Sequence, residues 1–183
     1  MPPNKKLSIG TTNTVPPTPD SVAENPHFLT ILNDVLSKHA HEDPMVQGQA
    51  AVFASTSGSA LGSGGMFFPQ QRSKRTRGRG GDGAGGASSQ GGAGGAGRGG
   101  WLHVSDMRAP PDYGRIAFPE DIFGSLEVDG QGEFVKGTDG SVGNWQSSGT
   151  YRIITREGIL GLSDFLREKL VGRLREEAAK GGI

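Results

Sequence analysis

The chain has 183 residues, with 19 Lys and Arg against 19 Asp and Glu, 32 Gly, 11 Pro, no Cys, and a third of its residues apolar. The lack of cysteine excludes disulfides, thiol catalysis and thiolate metal sites, and with them a disulfide-stapled secreted scaffold. No apolar run reaches the roughly 18–20 residues a membrane helix needs, and the Gly and Pro content leaves only part of the chain able to bury enough surface to offset backbone ordering.

Charge is uneven along the chain. Residues 1–70 carry three basic and five acidic side chains, residues 71–100 six and one, and residues 101–183 ten and thirteen. A basic stretch therefore lies between two mildly acidic ones. The N-terminus has Pro at 2, 3, 16, 17 and 19 and no apolar core stretch, unlike a secretory signal. Cytoplasm or nucleus is the expected compartment.

Residues 1–24 are rich in Pro, Thr, Asn and Ser and are expected to form a disordered tail. Order is expected from Asn25-Pro26, a good N-cap followed by a proline whose missing N–H costs nothing in the first turn. Phe28, Leu29, Ile31, Leu32, Val35 and Leu36 then recur at helical spacing to about residue 41. Asp43-Pro44 repeats the signal and predicts a second helix to residue 54, with Val46, Ala50 and Phe53 on one side. Residues 55–100 read as a disordered, low-complexity Gly/Arg-rich linker with one apolar island at Met66-Phe67-Phe68.

From Trp101 the composition is that of a folded module, residues 101–183. Residues 101–104 predict a short strand and the Pro-rich residues 105–124 an ordered loop. Leu126 and Val128 alternate with Glu127 and Asp129, and Asp129-Gly130 predicts a turn back through Glu133, Phe134 and Val135. Tyr151, Ile153 and Thr155 alternate in a further predicted strand. Ser163 is placed to cap a helix to residue 179, whose stripe is Leu162, Phe165, Leu166, Leu170 and Leu174. The expected fold is α+β: a small antiparallel sheet covered by one C-terminal helix, preceded by a separate N-terminal helix and the long linker. An isolated four-turn helix is marginal in water, so residues 25–41 must dock, either on the module or on another chain.

Two motifs bear on partners. Arg72, Lys74, Arg75, Arg77 and Arg79 crowd eight residues, and Arg79 and Arg98 each open an Arg-Gly-Gly triplet. Arginine pairs with phosphates and stacks on bases, so this stretch resembles RGG-type RNA-binding tails, which implies RNA as a partner. Pro110-Pro111-Asp112-Tyr113 resembles the P-P-x-Y ligands of WW domains: paired prolines pre-set a polyproline II strand and the tyrosine fills a neighbouring pocket. Against this, Tyr113 sits inside the expected fold, where a structural role competes.

Other chemistry has less behind it. The Gly-x-Gly-x-x-Gly matches at 78–83 and 92–97 neither follow a strand nor open a helix, and no Walker-type ending exists. His27, His39, His41 and His103 do not have metal-ligand spacing, and no cofactor or metal is expected. His103, Asp106, Glu120 and Asp121 form the least favoured alternative, an acid–base site in the 103–121 loop. Thr18-Pro19 fits proline-directed phosphorylation. The expected function is a non-enzymatic adaptor or scaffold, contacting protein partners through Phe28, Ile31, Leu32, Val35 and Leu36 and through the module. RNA association through the linker and WW-domain capture are the alternatives.

Overall fold

The computed structural model describes residues 5–54, 99–112, 115–137 and 140–180. The architecture is α+β. A two-stranded antiparallel hairpin, β1 (Gly10–Thr12) and β2 (Val22–Glu24), leads into α1 (Pro26–His39). A 3-10 turn, Ala40–Glu42, joins it to α2 (Pro44–Ala54). The main sheet is antiparallel in the order β3 (Gly100–Ser105), β4 (Ile122–Val128), β5 (Gln146–Ser147). A small hairpin, β6 (Ile154–Thr155) and β7 (Gly158–Ile159), precedes α3 (Asp164–Lys180). Among the described residues no helix is long and apolar enough to cross a membrane.

Local chemistry explains the helix boundaries. The Asn25 side-chain oxygen accepts from the His27 N–H at 3.0 Å, capping α1 behind its first-turn proline. The same amide's nitrogen donates to the Lys6 and Ser8 carbonyls at 3.0 and 2.7 Å, so one side chain starts the helix and ties down the segment before β1. Asp43 Oδ1 accepts from the Met45 N–H at 2.9 Å at the start of α2, and Ser163 Oγ accepts from the Leu166 N–H at 3.2 Å at the start of α3. The two caps are themselves joined: Ser163 Oγ donates to the buried Asp43 Oδ2 at 2.6 Å.

The main core draws on residues from both sides of 55–98. Phe28, Ile31, Leu32, Val35 and Leu36 of α1 are buried in a cluster with Val104, Phe123, Leu126, Ile153, Leu162, Leu166 and Leu170. Helix α1 packs against α3, and Arg173 Nε lies 3.5 Å from Asp34 Oδ2 across that contact. Trp145 Nε1 donates to Asn33 Oδ1 at 2.9 Å, pinning α1 to the stretch before β5. A second, smaller cluster of Ala50, Phe53 and Val128 seats α2 on the end of the sheet. Helix α1 is thus docked on its own module, and its apolar stripe is interior. The expected partner contact through those five side chains is replaced by an internal one, because the module offers the same helix a matching apolar face.

The hairpin departs from the sequence reading. Residues 5–24 are not a structureless tail: Leu7, Ile9 and Val22 pack against the core, and Glu24 Oε1 accepts from the Ile153 N–H at 2.8 Å. Few apolar groups spread over twenty residues carry no local signal, and what holds them is the Asn25 amide together with a partner about 130 residues away. The strand expected over 150–156 shrinks to β6. There Ile153, Ile154 and Thr155 are buried in succession rather than alternately, and the Arg152 and Ile153 carbonyls both accept from the Arg108 guanidinium, the Ile153 carbonyl also accepting from the Leu160 N–H at 2.9 Å.

The two ends of the stretch 55–98 meet. The Phe53 ring lies against the backbone of Gly100, where a Cβ would come within 2.9 Å of it. Gly132, at φ +82°, brings the 129–132 turn so close to α2 that a Cβ there would lie 2.9 Å from that of Ala54. A Cβ on Gly99 would lie 3.3 Å from Asp129 Cα of the same turn.

Candidate interaction loop and its buried anchor

Between β3 and β4 the chain makes a long excursion, residues 106–121, whose two ends are bonded together. The Asp106 N–H donates to the Asp121 carbonyl at 2.7 Å, and the Met107 N–H donates to the Gly161 carbonyl at 2.9 Å. Arg108 turns inward at the base of the loop. Its Nε donates to Asp121 Oδ1 at 2.7 Å, and its terminal nitrogens reach the carbonyls of Ile153, Glu120 and Arg152 at 2.9, 3.0 and 2.8 Å. Asp106, almost without solvent exposure, accepts from the Arg108 and Gly161 N–H groups through Oδ1, both at 2.9 Å. Its Oδ2 accepts from the Tyr151 hydroxyl at 2.8 Å and lies 3.7 Å from Arg108. The Tyr151 ring in turn sits under the guanidinium, 5.4 Å from centroid to Cζ, and against Phe123.

Buried charge is tolerated only where it is paired and its remaining hydrogen-bonding capacity is met. That condition holds here. Both carboxylates are engaged, and three of the four groups that accept from Arg108 are backbone carbonyls of the loop base and of residues 152–153. Burial, reinforced by the Asp106 charge, pushes the Tyr151 hydroxyl far above its ordinary range, so it serves as a hydrogen-bond donor. The arrangement is an anchor: it fixes both feet of the loop and the 151–153 stretch to a single cation.

What the anchor presents is apolar. Phe118 is 70% exposed, Ile116 42% and Met107 37%. Pro110, Pro111 and Asp112 are exposed coil, and the Arg115 N–H donates to the Asp112 carbonyl at 2.9 Å to turn the chain back. Tyr113 lies outside the described residues.

No family model, curated protein or solved structure matches this chain.

Phe28, Ile31, Leu32, Val35 and Leu36 are core. Arg72, Lys74, Arg75, Arg77, Arg79 and Arg98 lie outside the described residues. Of the acid–base alternative, Asp106 and Asp121 are committed to Arg108, and Glu120 is an exposed side chain whose carbonyl serves the anchor. His103 is separate from them on β3, its Nδ1 2.8 Å from Ser125 Oγ of β4, and burial holds its pKa below the usual histidine range. Asp129 caps its own turn, its Oδ1 accepting from the Gln131 and Glu133 N–H groups. A cleft of about 560 Å³ beside the hairpin is lined by Lys6, Ser8, Thr11, Glu24, Asn25 and His27, and its Glu24 carboxylate is already held by Ile153.

Arg108 and Tyr151 have no signature in the sequence: an Arg two residues after an Asp is common, and the tyrosine is over 40 residues away. Ile116 and Phe118 likewise have no periodic signal in a Pro-rich loop that would mark them as exposed.

Proposed function

We propose that the chain is a non-enzymatic interaction protein of the cytoplasm or nucleus that contacts a protein partner through the 107–118 loop. The observation that carries this reading is the pairing of three exposed large apolar side chains, Met107, Ile116 and Phe118, with a base held by a buried cation bonded to one carboxylate and three backbone carbonyls. Exposed aromatics are costly to solubility, and fixing the feet of the loop lowers the entropy lost when a partner orders it. The partner chemistry that fits is an aromatic-lined groove of the WW type. Pro110 and Pro111 are exposed and precede Tyr113 at P-P-x-Y spacing, and Phe118 adds a second aromatic on the same loop.

The test is titration of purified WW domains into the full chain. Binding is expected to be lost in Pro111→Ala and Tyr113→Ala and weakened at least several-fold in Phe118→Ser, with unchanged circular dichroism in all three. Binding untouched by these changes, or absent with every domain tried, contradicts the reading.

A second reading has one observation in its favour. The flanks of 55–98 converge on the 129–132 turn, Gly99 beside Asp129 and Ala54 beside Gly132. A basic Gly/Arg-rich sequence between two such flanks suits a phosphate backbone. RNA binding through it would weaken steeply with salt and disappear when Arg72, Arg75, Arg77 and Arg79 are changed to Ala. Salt-insensitive binding rejects it.

A further inference from the structure

We propose that Thr18 is a phosphorylation site for a proline-directed kinase and that Arg152 is the partner of the phosphate it acquires. Thr18-Pro19 is the single Ser/Thr-Pro dipeptide in the chain. It does not lie in a loose tail but on the loop that joins β1 to β2, with the Thr18 side chain exposed. The loop is shaped by its own bonds. The Thr18 N–H donates to Ser21 Oγ at 2.8 Å, and the Thr18 carbonyl accepts from the Ser21 N–H and hydroxyl, both at 3.0 Å. All of these groups are at the surface, so the local opening a kinase cleft requires costs little.

A cation is already in place. Arg152 donates through its terminal nitrogen to the carbonyl of Pro19 at 3.2 Å, one residue from the acceptor hydroxyl. A phosphate on Thr18 brings close to two negative charges and three strong acceptor oxygens within reach of that guanidinium. The nearby acidic groups oppose it weakly: Asp20 is exposed, and the Glu24 carboxylate is held by the Ile153 N–H. In the transfer, the Thr18 hydroxyl oxygen attacks the γ-phosphorus of ATP and the bond to the β–γ bridging oxygen breaks. ADP leaves, and the hydroxyl proton passes to the kinase's own base.

The consequence is positional. The Arg152 N–H donates to the Glu120 carbonyl and the Arg152 carbonyl accepts from Arg108, so the residue that would hold the phosphate is also built into the loop anchor. Phosphorylation fastens the N-terminal hairpin to the element that carries the exposed loop.

The experiment treats the folded full chain with a proline-directed kinase and Mg-ATP. It reads incorporation by mass spectrometry and the thermal midpoint before and after. One phosphate is expected on wild type and none on Thr18→Ala. The midpoint is expected to rise by roughly 2 °C on phosphorylation of wild type, by less in Arg152→Lys, and not at all in Arg152→Gln. Phosphorylation of a peptide spanning residues 12–25 but not of the folded chain overturns the site, as does no incorporation into either. Incorporation at Thr18 with equal midpoint shifts in wild type and Arg152→Gln, or with none in either, overturns the role of Arg152. The Arg152 contacts to the anchor are made by its backbone, so Arg152→Gln leaves the fold in place.

Discussion

At the scale of single residues, Arg108 is the side chain on which most bonds converge among the described residues, and its loss would strand charge. Arg108→Ala leaves Asp106 and Asp121 buried without their cation, and removing one partner of a buried pair typically costs about 3–5 kcal/mol. Urea denaturation is expected to show a loss of that size, whereas a loss below about 1 kcal/mol would mean the network is not the anchor described. His103 gives the pH dependence. Burial lowers its pKa, so the unfolded chain takes up a proton near the ordinary histidine value of about 6.5 and the folded chain only at lower pH. The folded state therefore binds fewer protons in that window, and its stability falls as pH drops from about 6.5 towards the lowered pKa. His103→Gln is expected to flatten the stability profile there while leaving the neutral-pH fold intact. A profile that keeps its full slope in the variant contradicts the assignment.

At the scale of elements, the capping chemistry was legible and the long-range chemistry was not. Asn25-Pro26, Asp43-Pro44 and Ser163 each start a helix as their identities predict, because a cap is decided within three residues. The apolar stripes of α1 and α3 were equally readable, since a 3.6-residue period needs no knowledge of the partner surface. The β1–β2 hairpin, the shortened β6 and the inward turn of Arg108 were not, because each is held by groups far away in sequence. The direct bond between the two caps was invisible for the same reason. Ser163→Ala removes both the α3 cap and a donor to buried Asp43, and is expected to cost about 1–2 kcal/mol. Asp43→Asn should recover little of that loss. A double-mutant cycle with Asp43→Ala checks the coupling, and strict additivity would show that the two caps act independently.

At the scale of the whole molecule, residues on either side of 55–98 build one interior. The five side chains of α1 expected to meet a partner are enclosed by the sheet and by α3. This moves the candidate contact surface from α1 to the loop carrying Phe118. The most direct check is Leu32→Asp in the full chain, followed by the fluorescence of Trp145, whose indole N–H is bonded to Asn33 of α1. An unpaired carboxylate at that buried position costs a large part of a stability of roughly 5–15 kcal/mol. Helix α1, the sheet and α3 are therefore expected to lose their cooperative unfolding transition together. A variant that keeps the native Trp145 signal and unfolds at the wild-type urea concentration would place Leu32 at the surface, and would return α1 to the role of a contact for another chain.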